Sequence, residues 1–149
     1  MRFWDASALV PLLVREEISP SLLRIFEGDA AVLVWWGTEV ECASAIARLE
    51  RQASLSTPAA TEVFRQLSSL AQSWNQIVPA EIVRDTARRL LRTHDLRAGD
   101  ALQLAAAFVA AESRPATLDF VCLDRRLGEA AQREGFSLLG REQISTMFE

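Results

Sequence analysis

Lysine is absent from the 149 residues, so every one of the 16 fixed side-chain cations is an arginine. Histidine occurs once, as His94, and cysteine twice, as Cys42 and Cys122. One histidine and two separated cysteines do not supply a zinc site, and no Ser/His/Asp set can be assembled around His94, which reads as a helix-end residue in contact with the helix dipole. The cysteines have no Cys-x-x-Cys spacing and lie in apolar surroundings, which points to free buried thiols rather than a disulfide. Long apolar runs are missing too. The richest, Leu104 to Ala111, is too short to span a membrane. Arg2 is followed by apolar residues, but Asp5 interrupts them and no small-residue cleavage site follows, so no signal peptide is read. A soluble, cytoplasmic protein is expected. The formal net charge of −4 argues against a broad basic face for duplex DNA, but leaves open a local arginine patch or a metal-mediated contact with nucleic acid.

What is present is a core. Half of the residues are hydrophobic, enough for one domain over 1–149. Phe3-Trp4 reads as a short buried strand ended by Asp5, and Ser7 to Val14 as a helix capped by Ser7 with Pro11 in its first turn. Ser19-Pro20 opens a helix to about Glu27. Ala31 to Trp36 is a strand covered on both faces. Thr38 to Glu41 has the form of a capping box before a helix to about Arg51. A further helix is read from about Pro58 to Ser73, a weak strand over Trp74–Val78, and helices over Ala80–His94 and Arg97–Glu112. The strand Leu118–Leu123, the helix Arg125–Glu134 and the strand Phe136–Leu139 follow. Strands alternate with helices, which predicts an α/β fold with a mostly parallel sheet of about four to five strands.

Four acids stand at similar places. Asp5 and Asp124 each follow a strand directly. Glu41 and Asp100 each lie in the first turn of a helix. Any one of them alone reads as a helix-start acid that caps free N–H groups. In a parallel sheet, however, all four positions share one edge, the edge where ligands bind. Asp100 sits in a helix otherwise almost wholly apolar, Ala98-Gly99-Asp100-Ala101-Leu102-Gln103-Leu104-Ala105-Ala106. Four carboxylates at close range repel unless cations are present. Hard divalent ions with oxygen ligands remove that repulsion and accept phosphate oxygens, and such ions support phosphodiester cleavage. Glu39 competes with Glu41, and Asp119 with Asp124. Receiver domains and haloacid-dehalogenase-like phosphatases also gather acids at such an edge, but they use a lysine, and the phosphatases an Asp-x-Asp start. Neither is present.

The residues resemble the PIN-domain ribonucleases, specifically the VapC-type toxins of VapBC toxin–antitoxin modules. The resemblance runs nearly end to end. It rests on Asp5-Ala6-Ser7-Ala8-Leu9-Val10, on Glu41-x-x-Ser44-Ala45-Ile46-Ala47-Arg48, on Leu96 to Ala105, and on Phe120-Val121-Cys122-Leu123-Asp124-Arg125-Arg126-Leu127 followed by Ala130-Ala131 and Gly135. It implies a single PIN-like domain in which Asp5, Glu41 and Asp100 are the core metal-binding acids, Asp124 is the fourth, and Ser7 supports the first. Two positions depart from the pattern: Cys122 stands where Thr or Ser is common, and Gln103 where His is frequent.

The function so implied is a metal-dependent endoribonuclease, the toxin of a type II toxin–antitoxin pair. It would cut single-stranded or loop RNA with water activated by Mg²⁺ or Mn²⁺. Arg97, Arg125 and Arg126 are candidate RNA contacts. A VapB-type antitoxin and a homodimer are the implied protein partners. Trp35, Trp36 and Trp74 are either core residues or partner surface. Two other readings remain open, a catalytically inert RNA- or protein-binding module and a DNA nuclease of related fold.

Overall fold

A computed structural model describes residues 1–149. Five short strands form one sheet: β1 (Arg2–Trp4), β2 (Val32–Trp35), β3 (Asn75–Ile77), β4 (Asp119–Val121) and β5 (Ser137–Leu139). Their order is β3-β2-β1-β4-β5, and every pairing is parallel. The chain first builds outward from β1 through β2 to β3, then returns to lay β4 on the other side of β1. The reversal falls between β1 and β4, and crevices at the carboxyl ends of such neighbours are where open α/β sheets bind ligands.

Successive side chains of a strand point to opposite faces. Phe3 and Trp4, both fully buried, therefore enter two different cores. Trp4 shares its core with Val32, Val34 and Val121 under α1 (Ala6–Leu13), α2 (Ser19–Glu27), α3 (Thr38–Arg51), α4 (Thr57–Ala71) and α8 (Arg141–Met147). Phe3 stacks on Phe120 with ring centroids 5.3 Å apart. That second core lies under α5 (Glu81–Thr93), α6 (Ala98–Ala110) and α7 (Arg125–Arg133). The apolar sequence of α6 has its reason here: Ala101 and Leu104 to Ala107 are all fully buried. Cys42 and Cys122 are buried free thiols, and no helix is long and apolar enough to cross a membrane.

Several helix starts differ from the sequence reading, each for a tertiary reason. Asp5 caps α1 in place of Ser7, and the Ser7 hydroxyl is taken up by Asp5 and by the turn after β4. An earlier start leaves Pro11 inside α1, past its first turn. Ser19 does not cap α2; its hydroxyl donates to the Pro11 carbonyl at 2.6 Å and so ties α1 to α2. Thr38 forms no capping box. It lies inside α3, fully buried, and accepts a hydrogen bond from Gln103 at 3.0 Å. Helix α8 escaped the reading because only Ile144 of its seven residues is buried, too little to mark a period. Trp35 and Trp74 are core residues, each 8% exposed, whereas Trp36 is 55% exposed.

Between α7 and β5 the chain turns through Gly135 at φ +102°, a conformation that side-chain-bearing residues adopt at a cost. Gly135→Ala is expected to lower stability by about 1–2 kcal/mol in urea unfolding. Gly28→Ala, at φ −83°, should leave it within about 0.5 kcal/mol.

Candidate metal centre

The fold delivers the four predicted acids to one place. Asp5 follows β1, Asp124 follows β4, and Glu41 and Asp100 open α3 and α6. All four line one cleft of about 290 Å³ at the carboxyl edge of the sheet. Glu16, from the loop between α1 and α2, lines it as a fifth acid, and no arginine or histidine does. Glu16 was not legible in the sequence: it sits in an unpatterned Arg15-Glu16-Glu17 stretch and comes near the others only because α1 folds back on α3. Glu39 and Asp119 do not line the cleft. Asp119 is drawn to the opposite end of β4, where Arg2 pairs with it at 3.3 Å.

Each acid is held differently. Asp5 is 4% exposed. Its Oδ2 accepts from the Ser7 backbone N–H at 3.0 Å and from the Ser7 hydroxyl. The same hydroxyl oxygen accepts the N–H groups of Leu123 and Asp124, at 2.9 and 3.1 Å. Its one proton and both lone pairs are thereby used. Ser7 thus pins the turn after β4 to the acid after β1. Cys122 sits behind this joint with its sulfur 3.4 Å from the Asp124 carbonyl and 3.6 Å from Asp5 Oδ2. Burial, with Asp5 adding to it, pushes its thiol well above the usual range, so it stays neutral. Because Ser7 holds the Asp124 backbone, the thiol in place of a hydroxyl at 122 does not leave that turn unsupported.

Asp124 caps α7, its Oδ1 accepting from Leu127 N–H at 2.8 Å. Glu41 accepts at 3.2 Å from the side-chain amide of Gln103, which also donates to Thr38 at 3.0 Å. Gln103 is fully buried, and its carbonyl oxygen has no partner. The amide is therefore spent on orienting α3 against α6 and aiming Glu41 at the cleft.

The electrostatics follow from this crowding. Burial pushes the Glu41 carboxyl up to about 7, helped by the charges of Asp5 and Asp100 and opposed by the Gln103 amide. Burial also raises Asp5, against its Ser7 hydrogen bonds and with a further push from Asp100 and Asp124. Asp100 is raised by burial and by Asp124, while Arg97 and Arg126 pull the other way. Desolvated carboxylates with no cation in their cleft form a hard-oxygen donor set suited to Mg²⁺ or Mn²⁺. As the side chains stand, no three of them converge closely enough to hold one ion. The donor chemistry nonetheless fits a hard divalent cation.

A second and larger cleft, of about 900 Å³, adjoins the first and shares Asp100 and Asp124 with it. Arg97, Arg125 and Arg126 line it, joined by Arg48 and Arg133. His94 also lines it; it stands at the C-terminal cap of α5, the helix-end position expected, and is paired in addition with Glu134 at 2.7 Å.

An all-parallel five-stranded sheet in the order 3-2-1-4-5, flanked by helices and with acids at the edge where the strand order reverses, defines a single α/β fold. The architecture is shared with solved structures. The chain is similar to a chain of a toxin–antitoxin complex from Klebsiella pneumoniae (13% identity, 83% of this chain and 87% of that one, TM-score 0.60). It is similar also to PAE2754 from Pyrobaculum aerophilum (21%, 98% and 87%, TM-score 0.63). A third is FitAcB from Neisseria gonorrhoeae (14%, 93% and 96%, TM-score 0.65). No protein-family model and no curated protein matches the sequence.

A carboxyl raised in the folded state binds its proton more tightly there than in the unfolded chain. The stability this gives is full below the unfolded value and is lost as pH rises through the folded one. For Glu41 that window runs from 4.5 to about 7. In chelator, thermal unfolding should therefore give a melting temperature that falls from pH 5 to pH 8, and Mn²⁺ should restore it at pH 8. Glu41→Gln should flatten that slope and stabilise the metal-free protein by about 1 kcal/mol at pH 8.

Proposed function

We propose that the chain is a Mg²⁺- or Mn²⁺-dependent endoribonuclease of the VapC type, the toxin of a type II toxin–antitoxin pair, which cuts single-stranded or loop RNA. The observation that carries the reading is the cleft itself. Acids from four separate elements meet at the switch point of a parallel sheet, with no basic side chain among them. Helix capping accounts for each acid singly but not for all of them lining one cleft without a basic side chain. The reading is also supported by a fold shared with a chain of a toxin–antitoxin complex.

Asp5, Glu41, Asp100 and Asp124 would hold the cation, with Ser7 and Gln103 fixing the two most buried of them. A bound divalent ion supplies Lewis acidity and neutralises charge on the phosphodiester. The chain's own contribution is orientation. Asp5 is locked against rotation by Ser7, Glu41 is aimed by Gln103, and Asp124 has one oxygen tied to the α7 N-terminus and the other free of hydrogen bonds. The neighbouring arginine-lined cleft offers the cations that RNA needs and the acid cleft lacks.

A VapB-type antitoxin and a homodimer belong to the same proposal. The three tryptophans do not form a partner surface together, since two are buried. An apolar groove of about 360 Å³ lies instead among Leu12, Leu13, Leu23, Phe26 and Leu70, on α1, α2 and α4, and suits an apolar face of an antitoxin segment.

The test is cleavage of an RNA pool by purified, antitoxin-free protein in Mg²⁺ or Mn²⁺. Chelator should abolish it, and Asp5→Asn and Asp100→Asn should each lower the rate about 100-fold or more. Cutting that persists equally in both variants would sink the site assignment. Absence of cutting on any RNA would favour an inert binding module, and cutting confined to DNA the related DNA nucleases.

A further inference from the structure

The larger cleft carries five arginines, but they are not equivalent. Arg125 is held by Glu129 one turn along α7, at 2.9 Å, and Arg126 faces Asp95 at 3.9 Å. No carboxylate lies within ion-pair distance of Arg48, Arg97 or Arg133, and none of these three side chains makes a hydrogen bond within the chain. They stand on three different helices around one groove: Arg48 in the last turn of α3, Arg97 at the cap of α6, and Arg133 in the last turn of α7. An unpaired guanidinium retains all its donors for a ligand, whereas one already pinned by a carboxylate must first lose that partner.

Position within the fold sets a direction. Arg97 is three residues from Asp100 on α6. Arg48 lies seven residues, or two turns, beyond Glu41 on the same face of α3, about 10 Å away. Arg133 lies nine residues beyond Asp124 along α7, about 13 Å away. Free cations thus run outward from the acids they flank, over a length on the order of three stacked nucleotides.

We propose that Arg48, Arg97 and Arg133 form the phosphate track that leads a single-stranded RNA to the carboxylate cleft, with Arg125 and Arg126 secondary. This rests on the nuclease reading above and names its substrate path. The ligand must present several anions to the arginines and an anion suited to a divalent cation at the acids, which a polynucleotide does along its length and an acidic peptide does less well. The groove has no Phe, Tyr or Trp in its lining, so base stacking on aromatics is not part of this contact. The track holds the backbone and contributes little sequence preference.

The experiment is fluorescence anisotropy of a labelled single-stranded oligoribonucleotide with Asp5→Asn protein in Mn²⁺. Asp5 is outside the arginine groove, and its substitution prevents cleavage during the titration. In that background Arg48→Ala and Arg133→Ala should each weaken binding about 5- to 20-fold. Each should also shallow the slope of log K against log salt by about 0.7, the value for one single-strand phosphate contact. Arg125→Ala should change binding less than threefold. The double variant Arg88→Ala/Arg92→Ala removes two charges from the separate arginine face of α5 and should leave binding unchanged. All these arginines are exposed, and unchanged thermal melts and Mn²⁺ affinities confirm intact folds. Equal losses in the α5 variant, no loss at Arg48 and Arg133, equally tight binding of poly-glutamate, or no oligonucleotide binding at all would each overturn the track. Arginine-dependent binding without cleavage by the unsubstituted chain would overturn the nuclease and leave the track standing. Cleavage with KM unchanged in Arg48→Ala and Arg133→Ala would do the reverse.

Discussion

Asp5 is the constraint around which the molecule is arranged. A carboxylate 4% exposed at the end of the central strand cannot be left without partners. The chain answers with Ser7 two residues on, whose hydroxyl serves Asp5 and two backbone N–H groups of the turn after β4 at once. That joint fixes how β1 and β4 end relative to each other. Because the strand order reverses between these two strands, it also fixes the mouth of the crevice where they part. The position of Asp124 is a consequence of Asp5.

The remaining acids aggravate the electrostatic problem rather than solving it. Glu41, Asp100 and Glu16 bring further negative charge into a cleft with no cation, and the carboxyl of Glu41 is pushed up to about 7. A fold selected for stability alone would place arginine there, and the sequence has 16 to draw on. Five of them instead line the adjoining cleft, which shares Asp100 and Asp124 with the first. The chain thus separates an all-acidic pocket from an arginine-lined groove, the two sharing Asp100 and Asp124. Gln103 belongs to the same design, a buried amide committed to Glu41 and Thr38 at the expense of its own carbonyl.

Much of this was legible in the sequence. All five strands and seven of the eight helices carried local signals: apolar runs of strand length, 3.6-residue periods, and Gly or Pro at the ends. The acids Asp5, Glu41, Asp100 and Asp124 stood out because each marks the start of a helix: Asp5, Glu41 and Asp124 open helices that follow parallel strands and so share one edge, and Asp100 is the lone acid of the apolar α6. Helix caps were read less well. Ser19 and Thr38 have the right chemistry to cap, yet their hydroxyls are taken by Pro11 and Gln103 from other elements. Local rules cannot foresee a competitor that lies 65 residues away, as Gln103 does from Thr38.

By itself the sequence determined the α/β alternation, the apolar α6 and which acids stand at element starts, because these depend on neighbours along the chain and on backbone periodicity. The tertiary structure alone decided what depends on elements meeting. It set the strand order that places β1 beside β4, the recruitment of Glu16 and the burial of Gln103 against Glu41. It also settled which arginines are neutralised and which are free. Arg125 and Arg126 lie beside an acid of the site in sequence, but each has a carboxylate partner. Arg48 and Arg133 are remote from that acid in sequence and unpaired in space, and charge pairing is a property of distance, not of order along the chain.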